Sequence, residues 1–259
     1  MALNIFDLTG RVAIVTGASS GFGVTFAHGL ADAGADVVVA ARRLEKLNKT
    51  AEGVRERGCR CLVVQTDVTK PEQVDNLVNQ TVKEFGKVDI LVNNAGQSGG
   101  RGGVADEATL EDLNSILLAN LASVFICTQR VSKEMLARGY GRIINISSVQ
   151  GVVGSPTIDP SLAYVTSKHG MQGLTKEYAR QWAQRGVTVN AIAPAYFPTE
   201  MTARYLDNPE IKKAISALAP MGRVGRPEEL LGALIFLASD ASSYVTGHTI
   251  LVDGGLTIW

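Results

Sequence analysis

Cysteine and histidine are scarce in this chain of 259 residues, with three of each. Cys59, Cys61 and Cys127 form no C-x-x-C pair and are odd in number, which argues against a disulfide framework and for a reducing, cytoplasmic setting. His28, His169 and His248 stand apart, with no Cys or carboxylate at ligand spacing, so no metal site is expected. Net charge is missing as well. Lys and Arg total 25 and Asp and Glu total 25, and a nucleic-acid or acidic-membrane partner would want a basic face. Residues 1–11 have neither a basic segment nor an apolar one, so no secretory signal is expected. Residues 12–31 carry no formal charge, yet Thr16, Gly17, Ser19, Ser20 and Gly21 interrupt them, and a membrane span would be more evenly apolar. No repeat, low-complexity tract or charged linker appears, so a single domain over 1–259 is expected.

What is present is the composition of a packed globule, 46% hydrophobic against 19% charged. Short β-branched runs at 12–16, 36–41, 60–65, 90–93, 142–147, 187–193 and 249–253 alternate with helix-period stretches at 23–33, 44–57, 71–85, 110–138, 163–184 and 228–239. The strands are nearly continuous in Val, Ile and Leu. That pattern predicts one parallel sheet, class α/β, with helices on both faces. Residues 194–225 are the least regular and hold Tyr196, Phe197, Met201, Tyr205, Leu206 and Met221. They read either as a satellite core under a loop or as a lid over an apolar ligand.

The first strand runs into Thr16-Gly17-Ala18-Ser19-Ser20-Gly21-Phe22-Gly23 and then a helix. Glycines there let the backbone turn tightly and approach a ligand, while the free N–H groups of the helix face an anion. The same residues also spell Gly17-x-Ser19-x-Gly21, a hydrolase elbow pattern, for which Ser19, Asp240 and His248 would be the triad in chain order. An elbow on the first strand, however, has no earlier strand to complete an oxyanion hole. Cofactor preference is read twenty residues after Gly21, where NAD-selecting folds carry an acid. This chain has Ala41, then Arg42 and Arg43. Guanidinium groups bond a 2′-phosphate, so NADP(H) is preferred and NAD(H) stays possible. Asp67 ends the third strand, as an acceptor for an adenine amine or as a helix cap.

Tyr164 and Lys168 lie four residues apart in a helical stretch, hence on one face. A cation within ~4–6 Å lowers a phenol's pKa from about 10 by ~1–3 units, which suits proton transfer near neutrality. Ser147 and Ser148, Asn120, and Asn93-Asn94-Ala95-Gly96 all fall at strand C-termini or on neighbouring helices, where open α/β sheets bind ligands.

In these segments, and in Val252-Asp253-Gly254-Gly255, the chain resembles the short-chain dehydrogenases/reductases, and the matching segments span its length. The resemblance implies a Rossmann-type, doubly wound sheet, a nicotinamide cofactor and a homotetramer. Tyr164 resembles the acid/base that serves the substrate oxygen. Lys168 resembles the residue that tunes Tyr164 and holds the nicotinamide ribose. Ser148 is similar to the serine on the substrate carbonyl, with Ser147 structural, and Asn120 to the anchor of a water relay. Cofactor contacts are implied for Gly17, Ser19, Ser20, Gly21, Phe22, Gly23, Arg42, Arg43, Asp67, Val68, Asn94, Ala95, Gly96, Pro194, Phe197 and Thr199. Two departures stand out: Pro194-Ala195 replaces the family's Pro-Gly, and the stretch from Ser148 to Tyr164 is lengthened by the loop 154–160.

Around the substrate, Gln97 with the loop 98–103, Gln150, Gly154, Tyr196, Met201 and Tyr205 are expected, along with Ser148. An apolar lining with two amides suits an uncharged or extended carbonyl. The partner is therefore a small-molecule carbonyl or alcohol: a 3-oxoacyl thioester, a small ketone or a sugar. Arg138, Arg180 and Arg185 would give a carrier basic surface. The other class is a nucleotide-binding regulator without turnover, which has no need of Asn120, Ser148, Tyr164 and Lys168 together.

Overall fold

The computed structural model describes residues 4–98, 105–156 and 161–258, apart from the Arg204 side chain. The predicted residues Gly99–Gly103 of the substrate loop and 157–160 of the lengthened loop lie outside them. Seven strands form one parallel sheet: β1 (Val12–Thr16), β2 (Asp36–Ala41), β3 (Cys61–Gln65), β4 (Ile90–Asn93), β5 (Gly141–Ile146), β6 (Val187–Pro194) and β7 (Thr249–Val252). Their order is β3-β2-β1-β4-β5-β6-β7. The chain thus winds outward from β1 in one direction and then, from β4, in the other.

The residues show why both faces are covered. Val12 and Ile14 on β1, with Val38 and Ala40 on β2, enter one apolar cluster. The alternate residues Ala13, Val15, Val37 and Val39 enter another. Side chains alternate across a strand, so strands apolar at every position need helices on both sides. On the second face lie α1 (Phe22–Asp32), α2 (Leu44–Glu56) and α9 (Leu231–Ala238), which contribute Phe26, Leu30, Leu47 and Leu234. On the first lie α3 (Pro71–Phe85), α5 (Ser123–Arg138) and α6 (Leu162–Trp182), with Leu77, Met135 and Ala179. Pro71 opens α3 as its first helical residue, and the left-handed Gly86 closes it.

Two predicted elements are corrected. The long helix predicted over 110–138 consists of α4 (Leu110–Leu117), a π-helical turn (Leu118–Ala122) and α5. The whole stretch is apolar and long enough to cross a membrane by composition, but α5 packs against α3, β4 and β5. The irregular region 194–225 contains α7 (Ala203–Leu206) and α8 (Pro209–Ala217), folded around Tyr196, Leu206 and Ile215. Its apolar residues form a satellite core, and Thr199, Glu200 and Met201 near its start line the cavity described next.

Candidate active site

Strand order reverses between β1 and β4, which leaves a crevice past their C-terminal ends. A cavity of about 270 Å³ occupies that place. Thr16 ties its walls together. Its hydroxyl accepts from the backbone N–H groups of Asn94 and Ala95, both at 3.0 Å, while the Asn94 amide donates to the Thr16 carbonyl at 2.8 Å. Gly17, at φ +66°, lies so close to this clasp that a Cβ would sit 2.9 Å from the Ala95 Cα. Beneath, Asn93 donates to Asn145, and Asn145 to Thr175, at 2.9 Å each; these buried bonds join β4, β5 and α6.

The predicted cofactor residues Gly17, Ser19, Ser20, Gly21, Phe22, Arg42, Arg43, Asp67, Val68, Asn94, Ala95, Gly96 and Thr199 line this cavity together with Tyr164 and Lys168. Three others stand behind it. A Cβ on Gly23 would be 2.3 Å from the Gly17 carbonyl oxygen, so Gly23 serves the turn's packing. Phe197 is buried, with its ring edge-on to Phe22 at 5.5 Å. Pro194 ends β6 opposite Val252. Ala195, the departure from Pro-Gly, donates its N–H to the Val252 carbonyl at 3.1 Å, and no described non-glycine residue has positive φ. The alanine is therefore accommodated without backbone strain.

These residues suit a dinucleotide. Gly21 precedes α1 with no side-chain cap, which leaves the helix N–H groups to an anion. Arg42 and Arg43 border the same space. Arg43 donates to the Ser20 hydroxyl at 2.6 Å and to that of Ser19 at 3.3 Å. Asp67 does not cap α3, whose cap position is Lys70. One of its oxygens accepts from the backbone and side chain of Thr69, at 3.0 and 2.7 Å. Burial works against its charge, but Thr69, with Arg42 and Lys70 nearby, holds the carboxyl below its usual range.

Deeper in, the Lys168 ammonium lies 5.4 Å from the Tyr164 ring centre and donates to the Ile146 carbonyl at 2.7 Å. Burial lowers its pKa from the ordinary 10.5 to about 8. A short helical turn, Val149–Gly151, presses on α6 here, where a Cβ on Gly151 would meet the Lys168 carbonyl at 2.8 Å. Ser148 begins that turn. Its hydroxyl accepts from the Gln150 N–H at 3.1 Å, which leaves its own proton to donate. Ser147, rather than Ser148, borders the cavity, and its hydroxyl accepts from the Gln172 amide at 2.9 Å.

Asn120 is fully buried in the π-helical turn and does not border the cavity. Its side chain accepts from the Gln97 N–H at 2.8 Å and donates to the Gln97 carbonyl at 2.9 Å and the Ser167 hydroxyl at 3.2 Å. It therefore fixes the segment beyond Gly96. Such π-turns are rare and often accompany functional sites.

The predicted substrate residues divide. Gln97 and Met201 line the cavity. Gln150 and Tyr196 are buried behind it, with the Gln150 Nε2 at 3.5 Å from the Tyr196 hydroxyl. Tyr205 packs on the satellite core, and Gly154 is not among the lining residues. Arg138, Arg180 and Arg185 are not at the mouth within this chain. Arg138 pairs with Asp89 before β4, and the other two stand near the start of β6, at the opposite edge of the sheet. The hydrolase triad is not assembled either. Asp240 pairs with Arg11, just before β1, and with Arg142, whereas Ser19 lies beyond the far end of β1, about 16 Å along the strand. Ala41, Thr66, Thr69, Ala119, Ile146 and Glu200 also line the cavity, and sequence reasoning missed all of them.

A family model described as enoyl-(acyl carrier protein) reductase matches residues 17–257. The chain is 39% identical over 255 residues to gluconate 5-dehydrogenase of Gluconobacter oxydans, covering 98% of each. It is 41% identical over 254 residues to 3-oxoacyl-(acyl-carrier-protein) reductase of Synechocystis, covering 97% of this chain and 99% of that one. Among solved structures, gluconate 5-dehydrogenase of Burkholderia cenocepacia, in complex with NADP and tartrate, superimposes with a TM-score of 0.93 at 39% identity, covering 100% of both chains. A short-chain type dehydrogenase/reductase of Mycobacterium marinum gives 0.94 at 37%, covering 99% of both. A parallel sheet reversing direction at a glycine-turn crevice, with relatives that match almost end to end, places this chain in the short-chain dehydrogenase/reductase family as an NAD(P)-dependent oxidoreductase.

Proposed function

We propose that the protein prefers NADP(H) and interconverts a carbonyl and a secondary alcohol, with Tyr164 as the acid/base. The observation that carries this is the Tyr164–Lys168 pair in one cavity with the glycine turn, Arg42 and Arg43. Gly17 to Phe22 and the start of α1 would hold the pyrophosphate, Arg42 and Arg43 the 2′-phosphate, Asp67 and Val68 the adenine, and Thr199 the carboxamide. When bound, the nicotinamide supplies or accepts the hydride. In reduction, Tyr164 gives its proton to the substrate oxygen, and in oxidation it takes that proton back. Lys168, charged below about pH 8, stabilises the phenolate left behind. Ser148, set just behind the cavity wall with its hydroxyl proton left to donate, would turn toward Tyr164 to bond the same substrate oxygen and steady its developing charge. Asn120 holds Gln97 at the rim and anchors the proton relay.

For the substrate we favour a polyhydroxylated carbonyl of the sugar-acid class. The polar side chains of Gln97 and Ser147 line the cavity together with Tyr164 and Lys168, and the hydroxyls of such a substrate would bond them. Several similar proteins bear gluconate dehydrogenase names. The second reading is a 3-oxoacyl thioester, favoured by the name of the Synechocystis relative and by the exposed, apolar Met201 at the cavity. NADPH oxidation measured with 5-keto-D-gluconate and with a 3-oxoacyl thioester in parallel decides between them. A kcat/KM at least tenfold higher for the keto-acid supports the first; the reverse ratio supports the second, and no oxidation with either overturns both. We place the enzyme in the cytoplasm as a homotetramer. Exposed Leu118 and Phe125 by the π-turn and Tyr244 and Leu251 by β7 would supply its contacts.

A further inference from the structure

Glu200 is an acid on the wrong side of a site prepared for an anion. It follows Thr199 on the segment that leaves β6, and it lines the cavity described above. Its partners stand across that cavity at the start of α2. One carboxylate oxygen lies 2.9 Å from the Arg43 Nη2 and the other 2.5 Å from the Lys46 Nζ, residues 157 and 154 positions away in sequence. The same Arg43 nitrogen donates to the Ser20 hydroxyl, and Nε points to Ser19, so the guanidinium is already aimed into the cleft.

We infer that Glu200 moderates the cofactor specificity of this protein by occupying, as an internal carboxylate, the Arg43 and Lys46 cations that a cofactor 2′-phosphate would engage. The inference rests on the NADP(H) reading above and adds a competitor to it. The geometry makes the exchange easy. All three side chains are about half exposed, at 46% for Arg43, 46% for Lys46 and 52% for Glu200, and ion pairs so placed contribute little and break readily. A phosphate brings two negative charges and three acceptor oxygens, where the carboxylate brings one charge and two oxygens. A cofactor without the phosphate leaves the contact intact, while one with it must displace Glu200 or accept a neighbouring like charge. Lys46 and Arg43 hold the Glu200 carboxyl down to about 2, so the competitor is ionised at any working pH. Glu200 therefore narrows the NADP preference that Arg42 and Arg43 create.

The test is a titration of the cofactor-free protein with 2′,5′-ADP and with 5′-ADP, for wild type and Glu200→Gln, and for both again in an Arg43→Ala/Lys46→Ala background. The expected result is a rise of about three- to tenfold in the affinity ratio of 2′,5′-ADP over 5′-ADP on Glu200→Gln, from tighter 2′,5′-ADP binding, and none in the doubly substituted background. An unchanged or smaller ratio overturns the inference. So does an equal gain without Arg43 and Lys46, which would make the effect one of long-range charge. Should wild type bind both probes equally while Glu200→Gln favours 2′,5′-ADP, the inference stands and the NADP(H) preference falls. If wild type favours 2′,5′-ADP and Glu200→Gln leaves the ratio unmoved, the preference stands and the inference falls.

Discussion

Lys168 carries a cost that its surroundings do not remove. Its ammonium is buried, with the Ile146 carbonyl as its hydrogen-bond acceptor, and burial moves its pKa from 10.5 to about 8. Between those values the unfolded chain binds a proton that the folded chain has released, so folding stability rises with pH across that window. Below pH 8 the penalty is fully present, on the order of 3 kcal/mol at most, and the bond to Ile146 offsets part of it. Lys168→Met should therefore melt at or above the wild-type temperature at pH 7, with no turnover, and its advantage should shrink as the pH rises from 8 toward 10.5. Thermal melts of both proteins across that range check this, and an advantage independent of pH would refute it. The pair itself was legible because residues four apart share a helix face. Glu200 was not, because its meaning comes from partners more than 150 positions away. Gln150 and Tyr196 were read as substrate contacts from their polarity and place in the chain, but burial depth is set by packing that spacing does not reveal.

At the scale of elements, the alternation of strand and helix was legible almost to the residue, because strands buried on both faces must be apolar throughout. The π-helical turn was not, since a single extra residue in a turn leaves the apolar spacing of a long helix nearly unchanged. α8 was missed within a stretch rich in proline, though its start was written there. Asn208 caps it through its side chain, Pro209 is its first residue and Glu210 lies in its first turn. The glycine turn gives the sharpest prediction at this scale. A methyl group on Gly23 would meet the Gly17 carbonyl oxygen at 2.3 Å and the Ala18 Cα at 2.8 Å, and backbone cannot yield as a flexible side chain would. Gly23→Ala should lower stability by about 1–3 kcal/mol and weaken NADPH binding by roughly tenfold or more. Chemical denaturation and a fluorescence titration measure the two effects. Wild-type values for both would show that the turn does not depend on that contact.

At the scale of the molecule, one topological fact organises the rest. Because every strand runs parallel, the phosphate turn after β1, the Asn94 segment after β4, the serines after β5 and Thr199 after β6 emerge at the same edge of the sheet, and the reversal of winding between β1 and β4 opens a crevice among them. Residues from Gly17 to Met201 thereby meet in one cavity, and the tyrosine and lysine of α6 complete it. Selectivity at that edge falls to the few charged groups that line it, Arg42, Arg43, Asp67 and Glu200 among them. The joint role of this cavity, to bind the cofactor and to deliver a proton from Tyr164, is open to experiment. Its most direct measurement is NADPH binding and steady-state carbonyl reduction on the same preparation of Tyr164→Phe, which removes one oxygen atom. We predict a loss of at least a thousandfold in kcat, which is about 4 kcal/mol of barrier, with the NADPH dissociation constant within threefold of wild type. Turnover within tenfold of wild type would contradict the account.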